Sequence, residues 1–144
     1  MGDLASQVSA MEAARFEENK RLNAEREILL ALTPDRWKEM KSAFREECAA
    51  ISERSHRFTF ECGEPTPWLF TISNVVHGSA MRLATLRFDL AVPRIVFETH
   101  GHRPQSGSVD FLVRGSSVFF ANGASGVILP EFILNLLMHV MKHN

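Results

Sequence analysis

The hydrophobic pattern changes its period near residue 55, and this change constrains the fold more than any other feature of the chain. Before it, apolar residues recur every three or four positions, which is the spacing of a buried helix face. These residues are Trp37, Met40, Phe44, Cys48 and Ile51. After it, apolar and polar residues alternate, first at Phe58, Phe60 and Cys62, as in a strand with one buried side. The sequence therefore predicts an α+β fold.

The N-terminal segment, residues 1–54, is predicted to hold a pair of helices. The first runs from about Leu4 to Leu32, where Ala, Glu, Arg and Leu are frequent and Gly and Pro are absent. Thr33-Pro34-Asp35 then predicts a restart, with Thr33 as the cap, Pro34 at the first helical position and Asp35 at the positive end of the dipole. The second helix should run from about Pro34 to Arg54.

The first helix carries an interrupted heptad pattern. Its apolar a and d positions are Val8, Met11, Leu22, Leu29 and Leu32. Charged side chains occupy the a and d positions between them, at Arg15, Glu18 and Glu25. We therefore expect the middle of this helix to be solvated.

Residues 55–122 are predicted to form an antiparallel meander of five or six strands, because short alternating runs follow one another without a helix between them. The strands lie near 58–62, 68–73, 81–91, 95–99, 109–113 and 118–121. A turn at 63–67, a bulge near Ala84 and a tight hairpin at Gly115-Ser116 complete this prediction.

The C-terminal segment, residues 129–144, should form a helix from about Pro130 to His143 that packs on the sheet. Apolar residues surround it except for a polar stripe of Glu131, Asn135, His139 and Lys142. Such a helix needs a second cover, which the N-terminal helices or a second subunit could supply. We expect residues 1–144 to fold as a single domain.

Charge and composition exclude several classes of partner. The net charge of −1 creates no field that would attract nucleic acid or an anionic membrane. Between Arg45 and Lys142 every permanent cation is arginine, but nearby acids almost balance them, so cross-strand ion pairs are expected rather than a nucleic-acid surface. The longest apolar run is too short to span a membrane, and acidic residues near the start argue against a signal peptide.

The two cysteines, Cys48 and Cys62, lack a CxxC spacing, which favours reduced thiols in the cytoplasm. Cys62 could be a nucleophile beside a histidine, but its phase with Phe58 and Phe60 favours a small core residue. No phosphate loop, dinucleotide fingerprint or zinc-protease motif occurs in the chain. We expect no cofactor.

His100 and His102 are the best candidates for a metal site, since both rings could reach one ion. The site would need further ligands, from Glu98, His77 or Cys62, and an ordinary solvated turn is the simpler interpretation.

Three functional hypotheses follow. The first is a non-enzymatic interaction module that self-associates, as a dimer, through its helices. The second is a protein that binds a small apolar or anionic ligand in a pocket between sheet and helices. That pocket would be lined by Trp37, Phe44, Trp68, Phe70 and Phe88, with Arg87 as the arginine that meets an anion. A metal-dependent or cysteine enzyme ranks last.

Overall fold

The computed structural model describes residues 2–123 and 125–144, so the first residue of the predicted helical segment lies outside it. Within these residues, one long helix precedes a seven-stranded antiparallel sheet and a second helix, which confirms the α+β class. The helices are α1 (Gly2–Arg54) and α2 (Leu129–Lys142). The strands are β1 (Phe60–Thr66), β2 (Leu69–Val76), β3 (Ser79–Asp89), β4 (Arg94–Thr99), β5 (Ser106–Arg114), β6 (Ser117–Asn122) and β7 (Ser125–Gly126). They pair in chain order.

Helix α1 is continuous through Pro34, so the predicted pair of helices is wrong. Proline inside a helix removes one hydrogen bond, here the bond that the carbonyl of Leu30 would accept, and costs about 3 kcal/mol. Thr33 does not cap a new helix, because its hydroxyl donates instead to the carbonyl of Leu29 at 2.6 Å.

Contacts with the sheet hold the helical turn that follows Pro34. Trp37 and Met40 are buried, and Nε of Arg36 donates to the carbonyl of Val118 in β6 at 2.9 Å. This packing offsets the cost of the proline. The restart signal was therefore overridden by tertiary contacts.

Strand β1 extends further than the alternating pattern indicated. The sequence predicts a turn over residues 63–67, but β1 continues to Thr66, and Thr66 pairs with Leu69 across a turn at residues 67 and 68. Pro65 can lie in this strand because β1 is an edge strand, where a missing N–H need not break the ladder.

The hairpin between β2 and β3 is longer than the sequence indicated. Its turn is His77-Gly78, and both residues have positive φ, 52° and 80°. Positive φ at both central positions is the type I′ geometry, which matches the twist of antiparallel strands. The sequence did not reveal this turn because histidine is not among the residues usual there.

The predicted bulge near Ala84 is confirmed. Ile72 pairs with Ala84 and Ser73 pairs with Arg82, so Leu83 is the extra residue in β3. The bulge leaves Leu83 and Ala84, although adjacent, both buried. The hairpin at Gly115-Ser116 also occurs, with φ of 64° at Gly115.

The core lies between the second half of α1, the sheet and α2. The predicted buried face of α1 is confirmed at Trp37, Met40, Phe44 and Cys48. In α2, Phe132 lies between the rings of Phe97 in β4 and Phe44 in α1, at centroid distances of 5.4 Å and 6.3 Å. Helix α2 thus packs on the sheet and on α1. No helix in the described part of the chain is long and apolar enough to cross a membrane.

Candidate functional site

The first half of α1 stands clear of the sheet. Every side chain from 3 to 24 is exposed, and the first fully buried residue is Thr33. We call residues 3–27 the arm. Its large apolar side chains, Leu4, Val8, Met11, Phe16 and Leu22, are between 46% and 70% exposed.

The apolar stripe of the arm continues the buried face of the same helix. Leu4, Leu22 and Met40 are spaced 18 residues apart, which is about five turns of 3.6 residues, so they lie on one side. Because α1 does not break at Pro34, the side that packs on the sheet at Met40 runs uncovered along the arm. This relationship follows only from a continuous helix, and the sequence prediction of two helices concealed it.

The charged heptad positions of the arm are solvated, as the sequence predicts. Arg21 pairs with Glu18 and, at 2.9 Å, with Glu25. The hydrogen bond and positive charge of Arg21 lower the pKa of Glu18, and the two carboxylates raise the pKa of Arg21. These pairs support the helix locally but add little stability because they are exposed.

A groove separates α1 from the start of α2. Its volume is 310 Å³, and it is lined by Ala43, Glu46, Glu47, Leu129, Pro130, Ile133 and Leu134. On α2, Leu134 and Met138 are 45% and 55% exposed, whereas Leu137 and Val140 are fully buried. One side of α2 is therefore open to solvent.

The aromatic residues predicted to line a ligand pocket form part of the core. Trp37 stacks on Phe88 at 5.9 Å, and the rings of Phe44 and Phe70 lie 6.1 Å apart. All four are at most 3% exposed, and only Trp68 is open to solvent among the five. The structure brings these rings together, but they fill the interior rather than line an open cavity.

Arg87 does not join these rings. It lies between the buried residues Leu86 and Phe88 in β3, so its side chain points to the opposite face of the sheet. There it borders a shallow concavity of 150 Å³ that Glu98 of β4 also lines.

A larger concavity of 580 Å³ lies between α2 and the sheet. Its apolar lining is Phe97, Val109, Val127, Phe132 and Leu136, and its polar lining is Gln105, Ser108, Asn122, Asn135 and His139. Gly107 completes it: a Cβ there would lie 2.7 Å from Phe97, so glycine lets the ring of Phe97 lie across β5. A pocket with aromatic walls and a few hydrogen-bonding groups is typical of small-molecule sites.

Two signals for this concavity were present in the sequence. Asn135 and His139 belong to the polar stripe that the sequence predicts on α2. In the structure, Nε2 of His139 lies 2.9 Å from the carbonyl of Arg103, so this nitrogen carries the proton. The loop before β5 is therefore tied to α2 beside the cavity.

The structure places His100 and His102 in different surroundings. Nε2 of His100 lies 3.2 Å from the hydroxyl of Thr85 and 3.9 Å from Glu98. The backbone N–H of His102 donates to the carbonyl of His143 at 3.3 Å. Among residues 2–123 and 125–144, no three His, Cys, Asp or Glu side chains are grouped so that they could hold a metal.

The predicted cross-strand ion pairs do not form between the described strands. Asp89 lies opposite Arg94 in register, but its carboxylate accepts hydrogen bonds from the backbone of Ala91 and Val92 in the turn. Glu64 of β1 pairs instead with α1, at 3.0 Å from Lys41 and 3.1 Å from Arg45. Glu64 therefore attaches the edge strand of the sheet to α1.

Comparison with known proteins returned no family model, no curated protein and no solved structure that matches this chain.

Proposed function

We propose that this protein is a non-enzymatic interaction module that self-associates as a dimer through its helices, in the cytoplasm where its two free thiols stay reduced. The observation that carries the proposal is the arm, the part of α1 whose large apolar side chains are exposed on either side of a charged middle. Most of the stability of helices in proteins comes from tertiary packing of an apolar face, and the arm lacks such packing. A second copy that covers the stripe would supply the missing stabilisation.

The charges on the arm favour an antiparallel pair over a parallel one. In a parallel pair, Arg15 would meet Arg15, Glu18 would meet Glu18, and Glu25 would meet Glu25 of the second copy. Like charges at facing heptad positions oppose association. An antiparallel pair with its two-fold axis between residues 16 and 17 places Arg15 opposite Glu18 of the second copy, twice.

The same register also pairs apolar residues. Leu22 lies opposite Met11 of the second copy, and Leu29 opposite Leu4, at the cost of setting Glu25 against Val8. In this register residue 2 of the second copy lies opposite residue 31, just before Thr33, where α1 becomes buried.

Sedimentation equilibrium of the full chain over micromolar concentrations tests self-association. A dimer that dissociates on dilution supports the proposal, and a clean monomer at the highest concentration contradicts it.

A second candidate function is binding of a small apolar or anionic ligand, and the 580 Å³ concavity beside α2 favours it. Anilinonaphthalene sulfonate, an apolar anion whose fluorescence rises on burial, is a suitable probe. The variant Asn135→Trp should fill the concavity and abolish the signal. Leu134→Trp, which adds the same ring at the neighbouring exposed position, should not. No fluorescence change with the folded wild type would contradict this second function.

A further inference from the structure

Strand β1 runs alongside the C-terminal half of α1 in the opposite direction. Near one end, the backbone N–H of Phe60 donates to the hydroxyl of Ser52 at 2.9 Å. Near the other, Glu64 meets Lys41 at 3.0 Å. Helix and strand are therefore held in a fixed relationship at two points.

The two cysteines lie between these points. Cys48 precedes Ser52 by four residues, a helix rise of about 6 Å, and Cys62 follows Phe60 by two residues, a strand rise of about 6.6 Å. Because the two steps nearly match and Cys62 shares a strand face with Phe60, the thiols meet. Cys62 packs against the buried cluster that contains Cys48, and each thiol shifts the pKa of the other.

The environments of the two thiols differ. Cys48 is 2% exposed, and its hydrogen bond to Cys62 together with burial raises its pKa. Cys62 is partly exposed on the edge strand β1, and the hydrogen bond from Cys48 and the charge of Arg45 lower its pKa. Cys62 is thus the more readily ionised thiol, and the more accessible one.

We propose that Cys48 and Cys62 form an oxidative modification site that hydrogen peroxide converts to a disulfide. The Cys62 thiolate attacks one peroxide oxygen, the O–O bond breaks, and the leaving hydroxide takes a proton to become water. Cys62 is now a sulfenic acid. The sulfur of Cys48 then attacks the sulfur of Cys62, the S–O bond breaks, and hydroxide leaves as water with the proton from Cys48. Two thiols lose two electrons in total, and one peroxide becomes two waters.

The disulfide would link the buried face of α1 to the edge strand of the sheet. A covalent link between residues 48 and 62 restricts the unfolded chain, so oxidation should raise the melting temperature of the intact protein. This site is independent of self-association, since it lies on the buried part of α1 rather than on the arm.

The test is oxidation of the full chain with hydrogen peroxide, followed by intact mass and thiol titration. Wild type should lose about 2 Da and both thiols as a monomeric chain, reversibly with dithiothreitol. The variant Cys48→Ser should stop at a Cys62 sulfenic acid that dimedone traps. Cys62→Ser should leave Cys48 at least about tenfold slower to react.

A variant that keeps both thiols tests the proposal even if the cysteine variants misfold. Arg45→Met removes the positive charge near Cys62 and should slow oxidation, whereas Arg54→Met, at the exposed end of the same helix, should not. The proposal is overturned if both wild-type thiols survive peroxide that oxidises free glutathione. It is equally overturned if the only disulfide joins two chains, or if Cys48 reacts as fast alone as in wild type.

Discussion

Leu22 and Met40 lie on the same side of one helix, five turns apart, yet Leu22 is 49% exposed and Met40 is fully buried. The apolar face of α1 is thus longer than the sheet that covers it. In the described residues, the uncovered part of that face begins where α1 leaves β6. The proposed dimer would bury the part of this apolar face that the sheet leaves exposed.

Replacing Leu22 with Asp should abolish self-association, because a charge in an apolar seam must lose its hydration without a partner. The folded domain should keep its stability, since Leu22 is exposed in the monomer. Ala24→Asp is the control: two residues further along, it lies on the opposite side of the arm. Sedimentation velocity that gives the same assembly state for both variants would contradict the assigned seam.

Orientation can be tested with a charge swap at Arg15 and Glu18. Arg15→Glu alone should weaken an antiparallel dimer by about tenfold, or 1.4 kcal/mol, because it then faces Glu18 of the second copy. Adding Glu18→Arg should restore affinity. In a parallel dimer residues 15 and 18 each face the same residue of the second copy, so like charges meet in the wild type and in both variants. All the dissociation constants would then be similar. Lys20→Glu, on the opposite side, controls for the change in net charge.

Pro34→Ala should raise the free energy of unfolding by about 2 kcal/mol. Alanine restores the hydrogen bond to Leu30 and removes the clash of the proline ring, together worth about 3 kcal/mol in a helix interior. It loses up to about 1 kcal/mol because the unfolded chain becomes freer. If Pro34 began a second helix, as the sequence suggested, the change would stabilise nothing. Pro93→Ala, in the turn before β4, is the control and should not stabilise. Urea denaturation measures both.

Local patterns predicted those parts of the fold that local chemistry determines. The buried face of α1, the bulge at Leu83 and the hairpin at Gly115 all follow from periodicity or from glycine. The predicted helix break at Pro34 was wrong because the helix is held there by a distant residue. The carbonyl of Val118, 84 residues further along the chain, accepts a hydrogen bond from the helical turn that follows Pro34.

The candidate sites were harder to predict because they depend on contacts between distant segments. Four of the five aromatic residues predicted to line a pocket are buried and Trp68 is exposed, but the sequence does not reveal whether buried rings leave a cavity. The concavity beside α2 depends on the close approach of Gly107 to Phe97, and the thiol contact depends on β1 running beside α1. Neither contact can be predicted from a local sequence pattern.

Because of Glu64, the free energy of unfolding should depend on pH at values below the ordinary pKa of a glutamate. The hydrogen bond from Lys41, its charge and that of Arg45 lower the pKa of Glu64 in the folded state. Its contribution is therefore present above the unfolded-state pKa and is lost as pH falls through the lower, folded value. Glu64→Gln should lower the melting temperature at pH 7 more than at pH 3. Glu61→Gln, an exposed change on the same strand, should show no such difference.

Two substitutions that each introduce an aspartate into α2 test how this helix packs. Leu137→Asp places a carboxylate at a fully buried position, which costs several kcal/mol or forces its protonation. Typical domains have only about 5 to 15 kcal/mol of stability, so this variant should be largely unfolded or insoluble. Lys142→Asp, exposed in the last turn, should cost only about 0.3 to 1 kcal/mol through the helix dipole. Thermal melts followed by circular dichroism compare the two. If they melt within about one degree of each other, α2 does not pack on the sheet and α1 as described.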